Sequence, residues 1–324
     1  MRPFAIILCL ALAACAAVTA PPGSASVTSH FEDGVLVARD GMRLPLREWN
    51  AQGSDQGDAP KAVIIALHGM SDYSNAFDMP ASEWAKRGIT TLAIDQRGFG
   101  RSDNPGLWAG GDVMRRDLND FAAAAHARYP GVKIFAAGES MGGAVLLSAL
   151  ASPEPPAIDG AILISPAVWS RADMPALYRV ALFMVAHITP GIILTNNAAS
   201  KVVKIIPSDN IPMLIALGKD PLFQKRTRAD TLYGLVNLMG DARTAPSRLP
   251  SSGVPPILYL HGEKDQVIPP APAKATIREL GARADVREYP GGYHMLLRDL
   301  GRATVQNDVA DWILEKQGAK RSQF

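Results

Sequence analysis

The sequence predicts an α/β architecture, a mainly parallel sheet flanked by helices, with a helical cap inserted after the sixth strand. Three observations carry that expectation. Short apolar runs such as Ala62-Val63-Ile64-Ile65-Ala66-Leu67 are continuous rather than alternating, as in strands buried on both faces. They alternate with longer stretches of helical pattern, the order produced by helices laid over a parallel sheet. From about residue 166 to residue 250 the alternation stops, and Met- and Leu-rich segments take its place.

The elements follow in order. Residues 35–38 and 44–49 read as an antiparallel hairpin around Asp40-Gly41, and 51–61, rich in Gly and Asp, as an exposed loop. Strands are expected at 62–67, 90–94, 133–137 and 160–164, with helices at 76–87, 113–129 and 143–150 between them. The series closes with a strand at 257–260, a helix at 271–280, a strand at 285–289 and a helix at 305–315. Within the insertion, Pro190-Gly191, Pro207 and Pro212 break the apolar segments into short helices. That composition suits either core packing or a lid over an acyl pocket. Its position over the strand ends, where a parallel sheet collects its functional groups, favours the lid. The core is thus expected in two parts, 30–165 and 251–324, around a cap at 166–250.

Residues 1–20 read as an address rather than as part of the fold. Arg2 gives a positive start, and Phe4 to Ala14 is apolar but too short to span a bilayer. Leu12-Ala13-Ala14-Cys15 resembles a bacterial lipoprotein signal. The resemblance implies removal of 1–14, acylation of Cys15 and attachment to a membrane through that lipid. Residues 15–29, rich in Ala, Pro and Ser, then form a flexible tether reaching at most about 45 Å. Ala16, rather than Asp, follows the cysteine, so the implied address is the outer membrane, facing the periplasm. Ordinary cleavage after Val18-Thr19-Ala20 is the alternative, and Pro21 directly behind that site argues against it.

Charge and composition exclude several classes. Lys and Arg total 33 against 31 Asp and Glu, a net charge of +2, with no basic run, so nothing points to nucleic acid. The two cysteines are Cys9 and Cys15; no disulfide, thiolate zinc site or thiol nucleophile can form downstream. No His-Glu-x-x-His or clustered-carboxylate motif occurs, and no metal or other cofactor is implied. Arg97-Gly98-Phe99-Gly100 lacks the Lys-Ser/Thr end of a phosphate loop.

One motif carries chemistry. Gly138-Glu139-Ser140-Met141-Gly142 lies between a predicted strand and a predicted helix. A serine with glycines at −2 and +2 in that context is a nucleophile elbow. The turn is too tight for side chains at those two positions, and the following helix aims its N-terminus at the site. Ser140 is therefore the candidate nucleophile for acyl transfer. The base should follow the last strand, where Pro290-Gly291-Gly292-Tyr293-His294 offers His294. The acid should lie between the two in chain order; Asp265 is the choice in His261-Gly262-Glu263-Lys264-Asp265, with Glu263 as the alternative. The oxyanion donors would be the backbone N–H groups of Met141 and of Met70, in His68-Gly69-Met70 at the end of the first long parallel strand. His68 and His261 read as packing and turn-forming residues.

These motifs together resemble the α/β-hydrolase superfamily from about residue 35 to residue 316. Within it the likeness is to the monoacylglycerol lipase and lysophospholipase group, filed with the serine aminopeptidase-like hydrolases. Leu67-His68-Gly69-Met70, Asp95 to Ser102, Gly138 to Gly143, Asp220-Pro221-Leu222, His261 to Asp265 and Gly292-Tyr293-His294 carry it. The resemblance implies triad roles for Ser140, Asp265 and His294, an acyl-enzyme, a cap lining a pocket for one acyl chain, and a single-chain lipid ester as substrate. Three rivals use the same scaffold, the first a general carboxylesterase acting on short acyl esters. A proline-aminopeptidase-like enzyme would need cap acids for a free amino terminus, and a scaffold protein would need no reactive serine.

Overall fold

Continuous apolar runs become strands because each is covered from both sides. The computed structural model describes residues 21–53, 59–195 and 205–318. The 1–14 signal and Cys15 lie outside them. An antiparallel edge of β1 (His30–Glu32), β2 (Val35–Val37) and β3 (Arg43–Trp49) leads into the parallel strands β4 (Ala62–Leu67), β5 (Ile89–Ile94), β6 (Ile134–Glu139) and β7 (Gly160–Ile164). A separate antiparallel pair, β8 (Ile193–Thr195) and β9 (Arg226–Arg228), lies in the insertion. The parallel strands β10 (Ile257–Gly262) and β11 (Ala284–Tyr289) complete the sheet, in the order β1-β2-β3-β5-β4-β6-β7-β10-β11.

The helices are α1 (Asp78–Lys86), α2 (Gly111–Arg128), α3 (Met141–Leu150), α4 (Ala176–Ile188), α5 (Ile211–Lys219), α6 (Ala229–Thr244), α7 (Pro270–Leu280) and α8 (Arg302–Gly318). The pleat sorts β4 into two layers. Val63, Ile65 and Leu67 join the core made with α2 and α3, while Ile64 and Ala66 join the one containing Trp84 of α1 and Trp312 of α8. Each fully buried Val, Leu or Ile contributes on the order of 2 kcal/mol, so a run with no polar position is what a doubly covered strand selects.

Three differences from the sequence reading have physical causes. The insertion follows the seventh strand in chain order, because β1 adds a three-residue edge pairing too short to show any periodicity. The 166–250 segment is not all cap: α6 buries Leu235, Leu238, Met239 and Ala242 in the main core beside α3. Its Gly234 lies against the Trp108 ring, where a Cβ would collide. Part of the expected tether is held rather than free. The Ser26 and Val27 amides both donate to the Arg39 carbonyl, and the Gly23 amide donates to Asp40 Oδ2.

Chain order places the site. From β4 the chain moves to β5 on one side and then to β6 on the other, so the sheet reverses direction between β4 and β6. Loops leaving the carboxyl ends of such neighbours diverge and open a crevice. The His68 loop and the Ser140 turn flank it.

Candidate active site

Ser140 joins β6 to α3 with φ 53° and ψ −111°, a conformation that L-residues adopt only under constraint. The constraint is visible in its neighbours. A Cβ on Gly138 would strike the Gly142 carbonyl, and one on Gly142 would strike the Leu67 carbonyl of β4. The Ser140 amide donates to the Ile164 carbonyl of β7 at 2.9 Å, and its own carbonyl accepts from Ala144 and Ala167. The backbone is thus fixed on both sides of the hydroxyl. That hydroxyl makes no hydrogen bond among the described residues, and the side chain is partly exposed at the crevice.

Met141 opens α3, so its amide has no intrahelical acceptor and points out of the helix N-terminus. The Met70 loop runs alongside: a Cβ on Gly69 would lie 3.2 Å from Ser140 Cβ and 3.8 Å from its Oγ. His68 shapes this loop. Its Nε2 accepts the Gln96 amide at 3.0 Å, so Nδ1 carries the proton and donates to the Gly69 carbonyl at 2.8 Å. Burial pushes the imidazole below its ordinary range, and His68 is a neutral strut.

Asp265 and His294 meet across the loops after the adjacent strands β10 and β11. His294 Nδ1 lies 2.8 Å from Asp265 Oδ2, and both side chains are buried. Burial by itself would raise the Asp265 carboxyl. The His294 hydrogen bond, the neighbouring imidazole and the Ile268 and Val267 amides on Oδ1 outweigh it and hold the group below its ordinary value. An ionised carboxylate only accepts, so Nδ1–H is the donor and the Nε2 lone pair is the basic position of the ring. Glu263, the alternative acid, is exposed, and the carboxylate that hydrogen-bonds to His294 among the described residues is that of Asp265. The His294 turn is itself tied down: the Tyr293 amide donates to Asp299 Oδ2 at 2.7 Å, and Ser208 Oγ–H donates to Asp299 Oδ1 at 2.6 Å.

The insertion is strapped to the loops that follow β4 and β5. Tyr73 O–H donates to Asp220 Oδ2 at 2.7 Å, the Gln224 amide donates to the Ser71 carbonyl at 2.8 Å, and Gln224 Nε2 donates to the Gly98 carbonyl. Its helix α4 is apolar yet buries only Ala186; Leu177, Tyr178 and Val180 are 76%, 63% and 60% exposed.

Sequence reasoning did not single out a buried charge cluster behind the elbow. Arg298 Nη2 donates to Glu139 Oε2 at 3.0 Å, and Nη1 lies 2.7 Å from Asp72 Oδ2. The available signal was Glu139 itself: a carboxylate at the end of an otherwise apolar strand requires a buried partner.

Fold and site together define an α/β-hydrolase, a serine-elbow enzyme. The chain belongs to the Hydrolase_4 family, "Serine aminopeptidase, S33", whose pattern matches residues 58–301. It is 26% identical over 303 residues to a monoacylglycerol lipase of Mycolicibacterium smegmatis, covering 89% of this chain and 99% of that one. It is also 26% identical over 286 residues to the monoglyceride lipase of Homo sapiens, covering 87% and 90%. The crystal structure of Paleococcus ferrophilus monoacylglycerol lipase superposes with a TM-score of 0.68 at 21% identity, over 85% of this chain and 100% of that chain, a likeness of fold.

Proposed function

We propose that this carboxylic ester hydrolase releases fatty acid from single-chain lipid esters, monoacylglycerols or lysophospholipids, through Ser140, His294 and Asp265. The observations that carry the reading are the buried Asp265–His294 pair and the strained, glycine-flanked serine, each on a loop that leaves the carboxyl end of a strand of the same sheet. His294 Nε2 takes the Ser140 proton as Oγ attacks the ester carbonyl. The Met70 and Met141 amides receive the oxyanion, each worth about 2.7–4 kcal/mol in the transition state. His294 then returns the proton to the departing alcohol, leaving an acyl-serine. Water activated by the same nitrogen releases the fatty acid and regenerates Ser140. Asp265 keeps the imidazole oriented and offsets its positive charge.

Monoacylglycerol comes first because the named activity of both sequence relatives is on that ester class. The exposed apolar face of α4 supports an acyl-chain substrate. The peptidase alternative needs free acids in the insertion, and each candidate there is already engaged. Asp173 accepts from Ser170, Asp209 from the Leu300 amide, and Asp220 from Tyr73; Asp230 pairs with Arg228 and Asp241 with Arg115. We place the enzyme on the outer membrane through lipidated Cys15, a reading that rests on Leu12-Ala13-Ala14-Cys15 and on the Ala16 that follows it. Cys15→Ser should move it from the bacterial membrane pellet to the soluble fraction, and an unchanged pellet would remove the anchor.

The substrate test follows fatty-acid release by the full chain from a monoacylglycerol, a lysophosphatidylcholine of equal chain length and a short soluble ester. Release from either lipid is expected, and the faster one names the head group. Turnover of the short ester alone would reduce the protein to a general carboxylesterase.

A further inference from the structure

Three loops must keep their mutual positions for the proposed reaction: the oxyanion loop with Met70, the elbow with Ser140 and the turn with His294. One side chain touches all three. Arg298 sits four residues beyond His294 on the same turn, its amide donating to the Met295 carbonyl at 2.8 Å. Its guanidinium reaches Glu139, the residue before Ser140, and Asp72, two residues beyond Met70. Asp72 in turn closes its own loop: its amide donates to the Gly69 carbonyl at 3.3 Å, and its Oδ1 accepts the Tyr73 amide at 2.9 Å. The Arg298 carbonyl accepts from Asn210 Nδ2 at 2.8 Å, and Asn210 caps the first turn of α5, which adds the insertion to the same junction.

Stability does not explain this cluster. Three charged side chains, 7%, 2% and 3% exposed, leave water here. They carry two carboxylates for one guanidinium, and Asp72 Oδ2, Glu139 Oε1 and Arg298 Nε make no hydrogen bond among the described residues, so Asp72 is held by charge at 2.7 Å. Apolar residues of similar volume usually stabilise a fold at least as well as such a network. What the cluster supplies is geometry. The rigid, planar guanidinium donates to Glu139 Oε2 with one nitrogen and pairs by charge with Asp72 Oδ2 through the other, a fixed two-point span that a lysine ammonium cannot make.

We propose that Arg298 is a positioning residue of the esterase reaction, clamping the nucleophile elbow and the oxyanion loop to the His294 turn through Glu139 and Asp72. The inference rests on the roles assigned above to Ser140, Met70 and His294. Arg298 touches no substrate, so its loss acts on the rate at saturation rather than on binding.

The test compares wild type with Arg298→Lys, Glu139→Gln and the double variant on a short soluble ester, below the melting temperature of each. Arg298→Lys should lower kcat about 100-fold while KM stays within about threefold, the signature of misplaced reacting groups. Labelling of Ser140 by a small fluorophosphonate should slow in parallel. The double variant should be no worse than Arg298→Lys, since both changes break one bridge. Should Arg298→Lys not fold, Glu139→Gln decides: an about tenfold lower kcat at constant KM supports the clamp, and an unchanged kcat overturns it. A wild-type kcat in Arg298→Lys, a loss seen wholly in KM, or single losses that multiply in the double variant would also overturn it. Ser140→Ala in the same assay separates the two levels. If that variant is inactive while Arg298→Lys is fully active, only the clamp falls; if it stays active, the triad reading falls and the clamp with it.

Discussion

Helices α3 and α4 are both strongly apolar, yet all ten residues of α3 are buried and α4 buries only Ala186. The first lies directly behind Ser140 and is locked between β6 and the core. The second belongs to the insertion and turns its apolar face outward. Strong hydrophobicity therefore has two fates in one chain: a rigid, buried support behind the candidate nucleophile, and an open apolar surface on the insertion, which we propose meets the acyl chain.

Four variants probe that contrast. The largest effect is expected in the locked region. Asp265→Asn should cut kcat about 10⁴-fold, because an amide that donates to Nδ1 turns the His294 ring to the wrong tautomer; steady-state hydrolysis of a soluble ester reads this, and a loss below about tenfold would deny Asp265 its role. Gly142→Ala comes next. Its methyl would enter the Leu67 carbonyl, so the variant should lose about 3 kcal/mol in urea unfolding or fail to accumulate folded. Unchanged stability would mean the elbow is looser than drawn.

His294→Ala gives a pH-dependent effect. In the wild type the Asp265 carboxyl is held below its unfolded value of 3.8, so it contributes stability above that value and loses it as pH falls through the lower folded one. Without the imidazole, its hydrogen bond and its charge no longer lower the carboxyl, which rises from its folded value and costs stability at neutral pH. The gap between variant and wild type should therefore narrow as pH drops from neutral to below 4, and a gap independent of pH would contradict the assignment of charge. The smallest effect is expected on α4. Leu177→Ser with Val180→Ser should change stability by no more than about 0.5 kcal/mol. Turnover of the short ester should hold, while long-chain monoacylglycerol hydrolysis falls about fivefold. A large stability loss would place α4 with the core after all.

The same contrast governs what the sequence makes legible. The locked region writes itself in local rules. Gly138 and Gly142 are forced by backbone approach, β4 by coverage on both faces, and His294 by its turn after the last strand. In the structure His294 meets Asp265 rather than Glu263. Arg298 is not legible this way, because a lone arginine on a loop gives no hint that Asp72 and Glu139 converge on it from far along the chain. In the insertion, composition identifies apolar helices but not which side they bury, so α6 in the core and α4 at the surface read alike. The edge strand β1 is too short to show a period at all.

The central claim is that Ser140 is the nucleophile served by His294. Full-length protein treated with a fluorophosphonate and digested should carry one adduct, on the peptide containing Ser140, with activity lost in step with labelling. The adduct should vanish in Ser140→Ala and form far more slowly in His294→Ala. Hydrolysis that persists in Ser140→Ala, or an inactivating adduct on another residue, would contradict the account.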